Sequence, residues 1–206
     1  PREIEVVDLF CGIGGLSYGM KSKGFKILSG FDLDWTCQYA FETNNEANFV
    51  YKDIREVQAK DIVPLYSKNA IKVLAGCAPC QPFSQMRFKL GEANVQDEKY
   101  NLLLEYGRLI QEVHPTIVSM ENVPQIEDTN IFAEFLNILH TNGYETDYRV
   151  IYCPDYGIPQ TRRRFVLVGS NLGPINIIAP THNRNEIHVR DFIQNLPPIE
   201  AGGVDP

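Results

Sequence analysis

The sequence predicts an open α/β fold with parallel strands. Short apolar runs typical of buried strands alternate along the chain with longer segments whose apolar residues recur at helical spacing. Small, proline or acidic residues follow several of these runs directly. In open α/β sheets ligands bind at the carboxyl ends of the strands, so we expect the functional residues to lie there.

Composition is ordinary for a soluble globular protein, at 44% hydrophobic and 22% charged residues. The 206 residues predict one domain, or one domain with an incomplete second lobe. No run of eighteen apolar residues and no signal pattern is present, which argues against a membrane span and against secretion. Five cysteines without framework spacing suggest a reducing cytosol.

Charge is unevenly distributed along the chain. The formal net charge of -7 argues mildly against nucleic acid as a partner. Between Arg149 and Asp191, however, six arginines face only three acidic residues. One face of the protein can therefore be basic although the whole is acidic.

The first predicted unit is a strand, a glycine turn and a helix. An apolar run over 4–10 leads into Gly12-Ile13-Gly14-Gly15, and residues 16–20 suit a helix. The glycines allow the backbone to pass close to a ligand at the helix N-terminus. Their spacing is not G-x-G-x-x-G, so a dinucleotide pyrophosphate is not specifically indicated.

A second strand over 26–31 ends in two acidic residues followed by the only tryptophan. Asp34 stands about twenty residues past the glycines, where such folds hold ribose hydroxyls, and Trp35 is suited to stacking on an adenine. The alternative is that Asp34 is a helix N-cap beside a packed aromatic residue.

A helix over 37–45 and a short strand over 48–51 come next, and Asp53 follows the strand. Its carboxylate is suited to accepting a hydrogen bond from an adenine amino group. A turn aspartate would have the same sequence signature.

A strand over 71–75 leads into a loop that contains Cys80. Between Pro79 and Pro82 this cysteine cannot lie inside a helix, and we predict that it is a nucleophile. The alternatives are a buried structural thiol, a redox dithiol with Cys77, or half of a zinc site. The remaining cysteines are scattered singly, which disfavours metal binding: Cys11, Cys37 and Cys153.

The next strand supplies a carboxyl group. After a polar stretch over 85–98, long enough to be a lid, a helix is predicted over 100–113 and a strand over 116–120. Glu121 follows this strand, and adjacent parallel strands would bring Cys80 and Glu121 to one edge of the sheet. The alternative for Glu121 is an ordinary surface acid.

Three consecutive arginines precede the last predicted strand. In an extended segment Arg162 and Arg164 share one face and Arg163 lies on the other. Next to an active edge they favour contact with an anion or a base, although such runs are most often solvated. The remaining elements are a helix over 131–140 and strands over 144–153 and 165–169, and the chain is loop-rich from residue 171.

Together these stretches resemble the DNA cytosine-5 methyltransferase family, in order from about residue 4 to residue 205. The matching motifs are Asp8 to Gly15, Asp34-Trp35, Asp53, Gly76 with Pro79-Cys80-Gln81-Pro82-Phe83-Ser84, Asn101-Leu102, Glu121-Asn122-Val123, and Gln160-Thr161-Arg162-Arg163-Arg164. The resemblance implies a Rossmann-like fold with a mostly parallel seven-stranded sheet and helices on both faces.

The resemblance also implies a reaction. Cys80 would add to carbon 6 of a cytosine flipped out of double-stranded DNA, Glu121 would hydrogen-bond the base from a site that raises its pKa, and Arg162 and Arg164 would hold the base or a phosphate. The methyl donor would be S-adenosylmethionine, leaving S-adenosylhomocysteine. The residues expected to bind it are Phe10, Gly12, Gly14, Gly15, Asp34, Trp35, Asp53, Pro79, Asn101 and Leu102.

Residues 1–170 are thus expected to form the catalytic domain, and 171–206 a linker to a target-recognition region that is absent or on a second chain. The resemblance favours the modification enzyme of a restriction–modification system, in a bacterial cytoplasm, or in the nucleus of a eukaryote. Four alternatives stay open: a transfer-RNA cytosine-5 methyltransferase, a non-catalytic binding module, a nicotinamide oxidoreductase and a dithiol redox protein.

Overall fold

The computed structural model describes residues 2–79 and 101–196. Cys80 and the polar stretch over 85–98 lie outside the described residues, so their predicted roles stay predictions. Among the described helices, none has the length and apolar character needed to cross a membrane.

Seven strands form one sheet in the order β3-β2-β1-β4-β5-β7-β6. Strands β1 to β5 run parallel, and β7 is inserted antiparallel between β5 and β6, which confirms the predicted mostly parallel seven-stranded sheet. The strands are β1 (Ile4–Leu9), β2 (Lys26–Asp32), β3 (Asn48–Tyr51), β4 (Ile71–Gly76), β5 (Ile117–Asn122), β6 (Glu145–Tyr152) and β7 (Arg163–Ser170).

The helices follow the predicted alternation, apart from two short ones that the sequence analysis did not predict, one after β3 and one at Val189–Ile193, in the stretch predicted to be loop-rich. They are α1 (Gly15–Lys21), α2 (Gln38–Asn45), α3 (Ala59–Ile62), α4 (Leu102–Val113), α5 (Asn130–Thr141) and α6 (Val189–Ile193). Single 3₁₀ turns occur at Trp35–Cys37, Val63–Leu65, Pro124–Asp128, Cys153–Tyr156 and Arg184–Glu186.

Alternate residues of the central strands pack into two separate cores, one on each face of the sheet. On β1, Val6 packs into a core with Phe41 of α2, whereas Val7 packs into the larger core with residues of α4 and α5. Both valines are fully buried, as period-two alternation requires when helices cover both faces.

Tyr106 of α4 supports the two strands that lead to the predicted catalytic residues. Its side chain is fully buried, and its hydroxyl lies 2.8 Å from the carbonyl oxygen of Leu74 in β4 and 3.0 Å from that of Ser119 in β5. A Cβ on Gly76 would lie 3.1 Å from the Tyr106 ring, so glycine is the residue that allows this close packing at the end of β4.

Candidate active site

The carboxyl ends of the central strands meet at one edge of the sheet. Leu9 of β1 pairs with Phe31 of β2 on one side and with Gly76 of β4 on the other, and Gly76 pairs with Met120 of β5. The residue that follows each strand is therefore delivered to the same edge. The predicted adjacency of the strands that lead to Cys80 and Glu121 is confirmed for β4 and β5 themselves.

The turn after β1 has the backbone geometry that its glycines predict. Gly12 has φ of 50°, and its N–H donates a hydrogen bond to Oδ2 of Asp32 at 2.8 Å. Gly14 has φ of 87°, and a Cβ there would collide with the side chains of Asn45 and Phe41 in α2. The turn is thus held against the end of β2, and glycine at position 14 is required by packing as well as by conformation.

A cavity of about 320 Å³ opens at this edge. It contains four of the residues predicted to bind the methyl donor, which are Phe10, Asp53, Pro79 and Leu102. The full lining is Phe10, Phe31, Asp32, Leu33, Lys52, Asp53, Ile54, Arg55, Cys77, Pro79 and Leu102. Apolar walls with a few convergent charged groups are typical of a site for a small organic molecule.

Asp34 and Trp35, predicted to hold the ribose and the adenine, do not line this cavity. Asp34 is the N-cap of the 3₁₀ turn Trp35–Cys37, and its Oδ1 accepts hydrogen bonds from the backbone N–H (3.0 Å) and the hydroxyl (2.6 Å) of Thr36. This is the capping alternative that the sequence left open, although Trp35 is 65% exposed instead of packed.

Asp32 and Leu33 line the cavity in place of Asp34 and Trp35, and the sequence analysis did not predict them as binding residues. Asp32 is the last residue of β2, and its two carboxylate oxygens accept hydrogen bonds from the backbone N–H groups of Gly12 and Asp34. The signal was present, since two acidic residues stand at the strand end. Because Trp35 directly follows Asp34, the sequence analysis assigned the ribose contact to Asp34 and not to Asp32.

The other predicted donor-binding residues are placed around the cavity, not in it. Gly14 and Gly15 line a separate shallow pocket with Tyr18, while Asn101 immediately precedes α4. Gly12 reaches the cavity only through its hydrogen bond to Asp32.

Asp53 is a cavity residue and also a turn aspartate, which is the alternative that the sequence left open. It lines the cavity, and its Oδ1 also accepts from the backbone N–H of Arg55 at 2.9 Å, as a turn aspartate does. The Arg55 guanidinium contacts the same carboxylate at 2.6 Å, and these hydrogen bonds hold the pKa of Asp53 below its usual range.

Glu121 lies on β5 beside the arginine segment. Nε of Arg164 is 2.7 Å from Oε1 of Glu121, and both side chains are partly buried. Burial raises the pKa of Glu121, while the charges of Arg164 and Arg162 oppose this rise without cancelling it. The raised pKa agrees with the sequence prediction, and it makes protonated Glu121 easier to form near neutral pH.

Cys77 connects Glu121 to the cavity. Its side chain lines the cavity and also lies against Glu121, where it helps to lower the pKa of that carboxyl group. Burial raises the pKa of the Cys77 thiol well above its ordinary value, so this cysteine stays protonated.

The loop that leads to Cys80 is fixed from both neighbouring strands. The backbone N–H of Cys77 donates to the carbonyl of Leu9 at 3.3 Å, and the side-chain amide of the buried Asn122 donates to the carbonyl of Ala78 at 3.2 Å. Pro79, which immediately precedes Cys80, lines the cavity. The described cysteines are all free thiols: Cys11, Cys37, Cys77 and Cys153.

A second, more open cavity of about 620 Å³ adjoins the Arg164–Glu121 pair, since Arg164 lines it. The arginine segment forms one of its walls, and the turn after β5 forms the other. Its lining is Val123, Pro124, Gln125, Gln160, Thr161, Arg162, Arg163 and Arg164. Arg162 and Arg164 are close enough for both charges to act on Glu121, whereas Arg163 lies over the ring of Tyr152.

Comparison with known proteins finds a matching family and several relatives. The model of the family described as C-5 cytosine-specific DNA methylase matches residues 4–199. Type II methylase M.HgiDII of Herpetosiphon aurantiacus is 46% identical over 202 residues, covering 96% of this chain and 56% of the relative. Type II methyltransferase M.XorII of Xanthomonas oryzae is 30% identical, covering 95% and 47% respectively.

A solved structure agrees with this comparison. A prophage-encoded protein of E. coli, assigned as a DNA modification methyltransferase, superposes with a TM-score of 0.79 at 25% identity. The match covers 96% of this chain and 56% of the E. coli protein. The chain spans about half the length of the relatives it matches.

Proposed function

Because this chain belongs to the C-5 cytosine-specific DNA methylase family, we propose that its protein transfers a methyl group to carbon 5 of a cytosine flipped out of double-stranded DNA. The observation that carries the proposal is the convergence of Glu121, Arg164 and the loop leading to Cys80 beside the 320 Å³ cavity. The names of the related Type II methyltransferases support a role in restriction–modification, in a bacterial cytoplasm.

The cavity fits S-adenosylmethionine. Asp32 presents a carboxylate at the end of β2, where ribose hydroxyls are held in such folds, and Leu33 supplies an apolar wall next to it. We therefore assign the ribose to Asp32 and the adenine face to Leu33, in place of Asp34 and Trp35. Asp53 would accept from the adenine amino group, sharing its carboxylate with Arg55. When bound, the cofactor supplies an electrophilic methyl group.

The residues of the chain account for the rest of the chemistry. Carbon 5 of cytosine is a poor nucleophile until a thiolate adds to carbon 6, and Cys80 supplies that thiolate. Protonated Glu121 donates to the ring nitrogen of the base and stabilises the charge that develops on addition. Arg164 fixes Glu121. Once carbon 5 has taken the methyl group, with S-adenosylhomocysteine as the leaving group, solvent would accept the proton from carbon 5, and the electron pair of that C–H bond would expel the Cys80 thiolate and restore the ring.

Methyl transfer by the full-length protein tests the proposal. We expect tritium from labelled S-adenosylmethionine to enter duplex DNA and not transfer RNA. Cys80→Ala should abolish methyl transfer while cofactor binding persists. The matched control Cys37→Ala should retain methyl transfer, since Cys37 lines neither cavity. Wild-type turnover by Cys80→Ala would refute the covalent mechanism, and labelling of transfer RNA alone would refute the substrate.

A further inference from the structure

Two arginines outside the proposed catalytic set lie over one aromatic ring. Arg163 of β7 is paired in register with Tyr152 of β6, and its guanidinium carbon lies 5.8 Å from the centre of the Tyr152 ring. The guanidinium of Arg184, from the segment after β7, lies over the same ring at 5.2 Å. Each contact is favourable, but the two positive charges repel each other.

Arg184 is held at this position by the turn Cys153–Tyr156. Its guanidinium makes two contacts with the carboxylate of Asp155, at 2.8 and 2.9 Å. The backbone N–H groups of Thr181 and His182 donate to the carbonyl of Asp155, and the hydroxyl of Tyr156 donates to the carbonyl of Ile178. The segment is therefore fixed locally, and the position of Arg184 over Tyr152 is a feature of the fold.

This group of side chains has an excess of positive charge. Asp155 is already engaged by Arg184, and Glu121 is engaged by Arg164. Within the described part of the chain no carboxylate is paired with Arg163, which is exposed to solvent. Arg163 and Arg184 together thus carry one more positive charge than Asp155 neutralises, and in a protein with a net charge of -7 such a local excess favours an anionic partner.

The cluster borders the proposed active site. Arg163 also lines the 620 Å³ cavity, together with Arg162 and Arg164, whose charges act on Glu121. An anion held by Arg163 and Arg184 would thus lie beside this cavity. Guanidinium groups bind phosphate through paired hydrogen bonds, and phosphate contacts orient a protein on a duplex.

We propose that Arg163 and Arg184, held over Tyr152, form a phosphate clamp for the DNA backbone beside the target cytosine. This inference rests on the proposed function. Each lost phosphate contact should reduce the slope of log affinity against log salt by about 0.9, which weakens binding about eightfold at roughly 0.1 M salt.

The test measures binding of the full-length enzyme to a duplex carrying its site, between about 50 and 200 mM salt. Arg163→Gln and Arg184→Gln should each reduce the slope and raise KM for DNA, with kcat largely retained. Arg163→Lys should keep the slope because it keeps the charge. The matched control is Arg149→Gln, since Arg149 lies on β6 with Asp147 as its partner and should leave the slope unchanged.

Four outcomes would overturn the clamp. Unchanged slopes in both glutamine variants of an enzyme that methylates DNA would refute it and leave the proposed function standing. An equal fall of the salt slope in Arg149→Gln would show that the loss of any surface arginine has this effect. Weakened binding to RNA, with duplex binding unchanged, would assign the surface to another nucleic acid. A wild-type protein that neither binds nor methylates DNA would refute the proposed function as well.

Discussion

Asp8, the last residue but one of β1, is a buried carboxyl group with an incomplete set of hydrogen bonds. Its side chain is 1% exposed, Oδ2 accepts from the Ser17 hydroxyl at 2.6 Å, and Oδ1 has no partner among the described residues. Burial raises the pKa of Asp8 to about 6, against the opposing effect of Ser17. Asp8 therefore links β1 to α1 through Ser17, and its raised pKa makes the free energy of unfolding depend on pH.

The stability should fall as the pH rises from about 4 to 6. Between the unfolded and folded pKa values of Asp8 the folded state binds more protons, and the loss is about 3 kcal/mol from the size of the shift. Asp8→Asn should flatten this part of the curve, measured by urea unfolding across that range. The control Asp61→Asn should leave it unchanged, because Lys52 lowers the pKa of Asp61 and its linkage lies at lower pH. The same fall in Asp8→Asn as in wild type would contradict the assignment.

The two acidic residues at the end of β2, Asp32 and Asp34, differ in what they contact, and this predicts different effects on cofactor binding. Asp32→Asn removes a charged acceptor from the cavity and should weaken S-adenosylmethionine binding by about tenfold or more, the usual worth of a hydrogen bond to a charged group. Asp34→Asn changes only a cap and should have little effect. Titration calorimetry of the full-length protein measures both. A larger loss of affinity in Asp34→Asn than in Asp32→Asn would show that Asp34 binds the ribose.

At the scale of elements, the packing of α1 against α2 depends on the glycine turn. Gly14 precedes α1 with φ of 87°, and the buried Asn45 of α2 donates to its carbonyl oxygen at 3.3 Å. A methyl group at position 14 would collide with Asn45 and Phe41, whereas one at Gly15 would meet no atom within 4 Å.

Gly14→Ala should therefore destabilise the protein by about 2 kcal/mol or more, through strained backbone and overpacking together. Gly15→Ala lies in a helix with open space around its Cβ and should cost nothing or add slightly to stability. Chemical denaturation of the two variants measures the difference. Equal stabilities would mean that α2 can shift to accommodate the extra methyl group.

Most elements were predictable because their cause is local. The strands at 4–10 and 71–75 are apolar runs bounded by small or polar residues, and α4 has apolar residues at helical spacing ended by His114-Pro115. The helix α3 was not predicted, since four residues do not establish a period. The face of the sheet on which each helix packs is determined by the connections between elements, so no local sequence pattern predicts it.

The site was less predictable, because its contacts join residues far apart in the sequence. The position of Glu121 could be expected from an acid at a strand end, and its raised pKa was expected from the reaction that the resemblance implies; the structure agrees with both. The choice between Asp32 and Asp34 depended on where β2 ends, a boundary that propensities leave uncertain by about two residues. The contact of Cys77 with Glu121 depends on the pairing of β4 with β5, which no stretch of either strand reveals alone.

At the scale of the whole molecule, the cavity is formed by segments that only the complete sheet brings together. Phe10 follows β1, Asp32 ends β2, Pro79 follows β4 and Leu102 begins α4. The unfolded chain cannot present these groups together, so a ligand of the cavity binds the folded state alone. Its binding free energy should then appear in full as added stability.

Thermal unfolding of the full-length protein should respond to S-adenosylmethionine and not to NAD, whose pyrophosphate the glycine spacing does not favour. At a hundredfold excess over Kd the added stability is about 2.7 kcal/mol, which corresponds to a rise in Tm of several degrees. Asp32→Asn should reduce the rise at the same ligand concentration, because it raises Kd, while Asp34→Asn should keep it. A rise with NAD, or an equal rise in wild type and Asp32→Asn, would mean that the carboxyl edge of the sheet binds its ligand by contacts other than those that line this cavity.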